Sequence, residues 1–97
     1  MNDITYYSDP SVAQHKAYDY LGNTAKLYLS SRKDKKYQIY DTNQHKWVNF
    51  GQLGYEDYTK HHDEERRRKY LNRSTKIKGN WRDNPYSPNN LSINILW

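Results

Sequence analysis

"AKLYLSSRKDKKYQIYDTNQHKWVNF", Ala25 to Phe50, contains three runs in which apolar and polar residues alternate, parted by short polar stretches. Successive side chains of a strand point to opposite faces, so such alternation marks a half-buried strand. "AKLYLSS" puts Leu27 and Leu29 on one side, and "KKYQIYDT" puts Tyr37 and Ile39 on the equivalent side. "SRKDK" and "DTNQHK" are short and polar enough to be turns, and the second leads into "WVNF". The spacing predicts a three-stranded antiparallel meander over about 25–31, 35–41 and 46–50. Three strands with one apolar face need a helical cover.

The flanks supply it. Asp9-Pro10 is a helix start, an Asx cap followed by a proline whose fixed φ suits the first turn, and Gly22 is a stop. Val12, Ala13, Ala17, Tyr20 and Leu21 between them form one apolar stripe, predicting a helix from about 10 to 21 that packs on the body. The first eight residues have no period and read as a flexible lead to a single domain over 9–97. After the sheet, Gly51 and Gly54 let the chain turn away. Asp63 then caps a helix with Glu64 and Glu65 in its first turn and cations later, as the macrodipole prefers, up to Gly79. At 100° per residue Tyr70, Leu71, Ser74 and Ile77 share a packing arc, while Arg66, Lys69, Arg73 and Lys76 form an adjoining stripe.

In the tail, Leu91, Ile93, Ile95 and Trp97 alternate like a strand, but Ser87-Pro88 is a helix start and Leu91, Ile95 and Leu96 make a helical stripe. Helix is the preferred reading. The fold class is therefore α+β: a small three-stranded antiparallel sheet, a meander, covered by about three helices. Trp47, Phe50, Tyr55, Tyr70, Leu71 and Trp97 are the expected core.

Composition narrows the function classes. Only 34% of the 97 residues are hydrophobic, yet the chain holds eleven Tyr, three Trp and one Phe. Rings this numerous argue against disorder, and most are expected inside. Sixteen Lys and Arg against eleven acids give a formal charge of +5 and a pI near 9.4, which favours anionic partners. No cysteine is present, which excludes disulfides, thiolate metal sites, zinc fingers and a cysteine nucleophile. The start lacks the pattern of a signal peptide and no stretch has the length of a membrane span, so neither membrane association nor secretion is expected.

The basic run is the main candidate site. Arg66, Arg67, Lys69, Arg73, Lys76, Lys78 and Arg82 follow one another without an intervening acid, and Arg32, Lys33, Lys35 and Lys36 cluster in a sheet turn. Four cations on one helix face over ten residues span about 15 Å, enough to follow several phosphates. Neutralising five or six of them predicts that log affinity falls with log salt at a slope of about −4.5 to −5.4. The plain alternative is a solvated face with a Glu65–Lys69 pair at i, i+4, worth only ~0.3–0.5 kcal/mol. No helix-turn-helix precedes the basic helix, so binding would be dominated by the backbone and weakly sequence-selective.

Other chemistry has less support. His61, His62 and Asp63, with His45, Asp41, Glu56 and Asp57, offer metal ligands for a nuclease, but adjacent histidines point apart and no His-x-x-x-His spacing occurs. Glu56 and Asp57 are more simply caps, or partners for Arg66 or Arg67. Ser30, Ser31 and Thr59 lack a His/Asp arrangement, and no glycine-rich phosphate loop exists. No catalytic residue, metal or cofactor is assigned.

Lys46-Trp47-Val48 leading into Phe50-Gly51-Gln52, the block Gly54-Tyr55-Glu56-Asp57-Tyr58-Thr59-Lys60-His61, Arg66-Arg67 with Tyr70-Leu71, and Leu91-Ser92 with Leu96-Trp97 give the chain a likeness to a known group. From roughly Tyr18 to Trp97 it resembles a small uncharacterised domain family encoded by giant nucleocytoplasmic large DNA viruses. It departs from the commoner pattern at Asn49 and His62. The resemblance implies a viral source and a virion or infected-cell setting, in host cytoplasm or nucleus, and supplies no catalytic residue.

The leading expectation is thus a non-enzymatic viral DNA-binding protein, packaged in the virion or acting on genome organisation. Duplex DNA is the expected partner, with homodimerisation doubling the basic area and no small-molecule substrate. An interaction module for an acidic protein is the alternative, and a metal-dependent nuclease the third. The leading expectation needs the separated cations to converge on one exposed plate.

Overall fold

The computed structural model describes residues 3–97, and Met1 and Asn2, part of the expected lead, lie outside them. Helix α1 spans Pro10–Leu21, the strands are β1, Tyr28–Leu29, β2, Lys35–Asp41, and β3, Lys46–Gln52, and the later helices are α2, Tyr58–His61, α3, Glu64–Ser74, and α4, Pro88–Leu91. Single 3-10 turns occupy Ile4–Tyr6 and Trp81–Asp83, and α4 runs on as a π-wound turn, Ser92–Leu96. The sheet is antiparallel in the order β1-β2-β3, so the fold is α+β with a meander, as the alternation predicts.

The register explains the core. Tyr37 faces Phe50 and Ile39 faces Val48 across β2 and β3, and all four side chains are buried. Ala13 and Ala17, the small residues of α1, join Leu27, Leu91, Ile95 and Leu96 in one hydrophobic cluster with them. Period two then sends Trp47 the other way. It is 50% exposed, and Tyr28 and Tyr40 meet it edge to face, each at 5.5 Å between ring centroids. Tyr55 is 70% exposed. Trp47 and Tyr55 therefore leave the expected core, Tyr70, Leu71 and Trp97 are only partly buried, and Phe50 is fully buried. Of the fully buried hydrophobics among the described residues only Tyr37 and Phe50 are aromatic, so the core is mainly aliphatic.

Two elements depart from expectation because of side chains distant from them in sequence. Strand β1 is two residues long because Gln14 of α1 takes the preceding backbone: its Nε2 donates to Ala25 O and its Oε1 accepts from Leu27 N, both at 2.8 Å. Leu29, expected on the side of Leu27 and paired with the buried Tyr37, is nonetheless 62% exposed. Helix α3 stops at Ser74 rather than near Gly79, because Asn89 Nδ2 donates to Ser74 O at 3.1 Å and Arg82 donates to Thr75 O. Ile77 falls past the end and is exposed.

The expected flexible lead is packed from Asp3 onward. Ser8 is buried between Thr59 and Tyr37, whose hydroxyl donates to Ser8 Oγ at 2.7 Å, and Tyr7 O accepts from Asp57 N at 3.0 Å. Buried polar groups need partners, and this segment provides them. The caps follow the sequence: Asp9, Asp63 and Ser87 each accept from amides of the helix that follows. No helix of the described residues is long and apolar enough to cross a membrane.

Candidate nucleic-acid interface

Arg66, Lys69 and Arg73 occupy i, i+3 and i+7 of α3, which places them on one side of the helix. They form one wall of an open cleft of about 450 Å³. Gln52, at the end of β3, Tyr55 and Glu56, from the segment that follows it, and Tyr70, Leu96 and Trp97 also line it. Tyr70 and Trp97 are stacked, 4.2 Å apart with an interplanar angle of 9°. Gly51, at φ 81, belongs to the lining, and a Cβ there would stand 2.8 Å from Leu96 Cδ1.

The cations differ in how free they are. Arg66 Nη1 donates to Glu56 Oε1 at 2.9 Å, the pairing anticipated for Glu56, and this holds the Glu56 carboxyl below its usual pKa. Lys69 Nζ is 3.9 Å from Glu65, whose carboxylate is engaged more closely by Arg68. Arg73 lies over Tyr70 at 5.7 Å and has no carboxylate partner among the described residues. Lys76 and Lys78 are exposed on the chain beyond α3. Arg67 turns inward: its Nε donates to Trp97 O at 2.7 Å and its guanidinium lies 5.4 Å from the centre of the Tyr58 ring. Arg82 stacks on Trp81 at 4.2 Å while donating to Thr75 O. Arg67 and Arg82 thus fasten the chain to itself.

The second cluster lies elsewhere. Arg32, Lys33 and Lys35 line a shallow depression of about 780 Å³ with Ile4, Leu29 and Leu53, and Arg32 is 3.6 Å from Asp34. Lys36 borders both hollows but presents no free charge. It is 4% exposed, and its ammonium pairs with Asp57 Oδ2 at 3.0 Å. Burial lowers its pKa and the Asp57 carboxylate opposes that, so the pair is best described as a neutralised buried contact. Of the cations expected to form one plate, Arg66, Lys69 and Arg73 line one hollow and Arg32, Lys33 and Lys35 another, with the buried Lys36 common to both, while Arg67, Lys76, Lys78 and Arg82 line neither.

The residues considered as metal ligands have other attachments. Asp57 caps α2 through Thr59 N besides holding Lys36, and Asp41 Oδ1 accepts from Asn43 N and Gln44 N in the β2–β3 turn. His61 packs on Trp97 at 5.1 Å, and its Nδ1 accepts from Asp63 N at 2.9 Å. That bond leaves the proton on Nε2, which is buried without a partner. Burial, then the Arg66 charge, lowers the His61 pKa and keeps the ring neutral near pH 7. Among the described residues no group of three or more His, Asp and Glu is arranged to hold a metal ion.

The Tyr55 placement was missed from sequence. Its signal was the preceding Gly54, at φ 104, which marks a turn rather than a buried element. A family model matches residues 25–74, just over half of the chain, and its description is a family of unknown function, DUF5754. The chain belongs to that family. The match covers the sheet, α2 and α3, hence the cationic wall and Tyr55, and excludes α1 and the C-terminal helices that complete the core. No curated protein and no solved structure matches the chain.

Proposed function

We propose that this domain is a non-enzymatic nucleic-acid-binding protein that grips the sugar-phosphate backbone through α3 and the segment after it. The observation that supports this most is the alignment of Arg66, Lys69 and Arg73 along one wall of an open cleft, with two of the three lacking a close carboxylate. Lys69, Arg73, Lys76 and Lys78 carry the phosphate contacts, and Arg66 contributes once drawn from Glu56. Arg32, Lys33 and Lys35 lie on a second hollow and add a weaker, general attraction. Phosphate contacts fix position and read no sequence, so selectivity is weak.

The likeness to domains of giant DNA viruses supports a viral source, with the protein in the virion or on the genome in the infected cell. A homodimer would present two such walls to one polymer. The test is fluorescence anisotropy with random-sequence DNA across a salt series. Four phosphate contacts give a slope of log affinity against log salt of about −3.6, at roughly −0.9 each. Absence of binding even at low salt overturns the proposal and moves the reading to an acidic protein partner.

A further inference from the structure

The basic wall belongs to a concavity, and that shape constrains the ligand beyond its charge. A duplex offers phosphates on a convex surface and keeps its bases closed in the stack, so it can lie along a cationic stripe but cannot enter a cleft. Extruding a paired base costs a few kcal/mol, least where the strand is already unpaired. The cleft, at about 450 Å³, has the capacity of a small-ligand site, for which ~300–1,000 Å³ is usual.

Its chemistry is divided. Lys69 and Arg73 line the cleft, and so does Tyr55, which is 70% exposed and pairs with no other ring among the described residues. Glu56, the one acid of the lining, is already bound to Arg66, so the cleft is positive overall. An exposed aromatic ring in the same cleft as Arg73, which has no carboxylate partner among the described residues, and Lys69, whose nearest carboxylate lies 3.9 Å away, suits a group that joins a flat π-system to a phosphate. Core packing does not account for the Tyr55 position, since the ring buries little.

Resting on the reading above, we propose that this cleft receives one unpaired nucleotide of a single strand, its base on Tyr55 and its phosphate at Lys69 and Arg73. Stacking on a ring is tolerant of base identity, which agrees with weak sequence selectivity. The preferred polymer is then a single strand, or an unpaired stretch within a duplex.

The experiment compares labelled dT12, a duplex of the same length, and free thymidine monophosphate as competitor, at one salt concentration, with Tyr55→Ala and Tyr55→Phe. We expect dT12 to bind roughly tenfold or more tightly than the duplex, Tyr55→Ala to remove most of that preference, and Tyr55→Phe to keep it, as base stacking predicts. Thymidine monophosphate should compete only at far higher concentration. Equal affinity for dT12 and duplex, or a preference untouched by Tyr55→Ala, overturns the inference and leaves backbone binding standing. Saturation by thymidine monophosphate without strand binding overturns both the inference and the function proposed above, and assigns the cleft to a free nucleotide. No binding by any probe overturns the function on which the inference rests. Because Tyr55 is exposed, unchanged circular dichroism should accompany both variants.

Discussion

The lysines and arginines of α3 and those around the β1–β2 turn both form runs in sequence, yet the fold treats them differently. A helix advances 100° per residue, so α3 collects Arg66, Lys69 and Arg73 on the cleft and sends Arg67 to Trp97 O and Arg68 to Glu65. A strand alternates, so Lys35 and Lys36 point to opposite faces of β2; Lys36 shares the face of Gln38 and the exposed Tyr40, yet it is buried because it pairs with Asp57. In α3 the helical period sorts the charges, whereas at Lys36 a carboxylate distant in sequence overrides the strand period. Only the helical period made a coherent cationic wall.

The contrast can be broken most severely at the buried pair. Asp57→Ala leaves the Lys36 ammonium buried without its counter-charge and removes the cap of α2, so it should lower unfolding free energy by ~3–5 kcal/mol in urea denaturation. Asp34→Ala removes the partner of Arg32, an exposed contact, and should change stability by less than about 1 kcal/mol in the same assay. Equal effects would erase the distinction between the two clusters. Gly51→Ala comes next: a positive φ and a Cβ 2.8 Å from Leu96 Cδ1 predict a loss of ~1–3 kcal/mol, read by thermal unfolding.

The smallest effect is on pH dependence. His61 is lowered in the folded state by burial, while the unfolded chain takes up its proton near the ordinary value of 6.5. Its stabilising contribution is therefore complete above about pH 6.5 and is lost as pH falls from there through the folded value, because the unfolded state binds the proton more readily. The urea midpoint should drop between pH 7.5 and 5.5, and His61→Asn should flatten that drop. A midpoint that rose on acidification would contradict the neutral Nδ1 acceptor at the start of α3.

Much of the fold was legible because its devices are local. The alternation of Tyr37, Ile39, Val48 and Phe50, the Asp9-Pro10 and Ser87-Pro88 starts, and the Asp63 cap each depend on a few neighbouring residues. What escaped depends on contacts distant in sequence. Gln14 shortens β1, Asn89 and Arg82 end α3, and Asp57 withdraws Lys36 from the surface, each across many residues. Trp47 misled because a large ring was read as core, although its parity opposite Val48 and Phe50 already sent it outward. The cationic stripe of α3 was visible; the cleft that gives it shape was not, since Tyr55 and Trp97 reach it from separate segments.

The central claim is that the α3 wall, and not positive charge in general, holds the nucleic acid. The direct measurement compares Lys69→Glu/Arg73→Glu with Arg32→Glu/Lys33→Glu on one labelled oligonucleotide through a salt series. The α3 pair should lose affinity by roughly tenfold or more and flatten the salt slope by about 1.8, at roughly 0.9 per phosphate contact, while the turn pair stays close to the parent protein. A turn pair that loses as much as the α3 pair, or an α3 pair that binds unchanged, would contradict it.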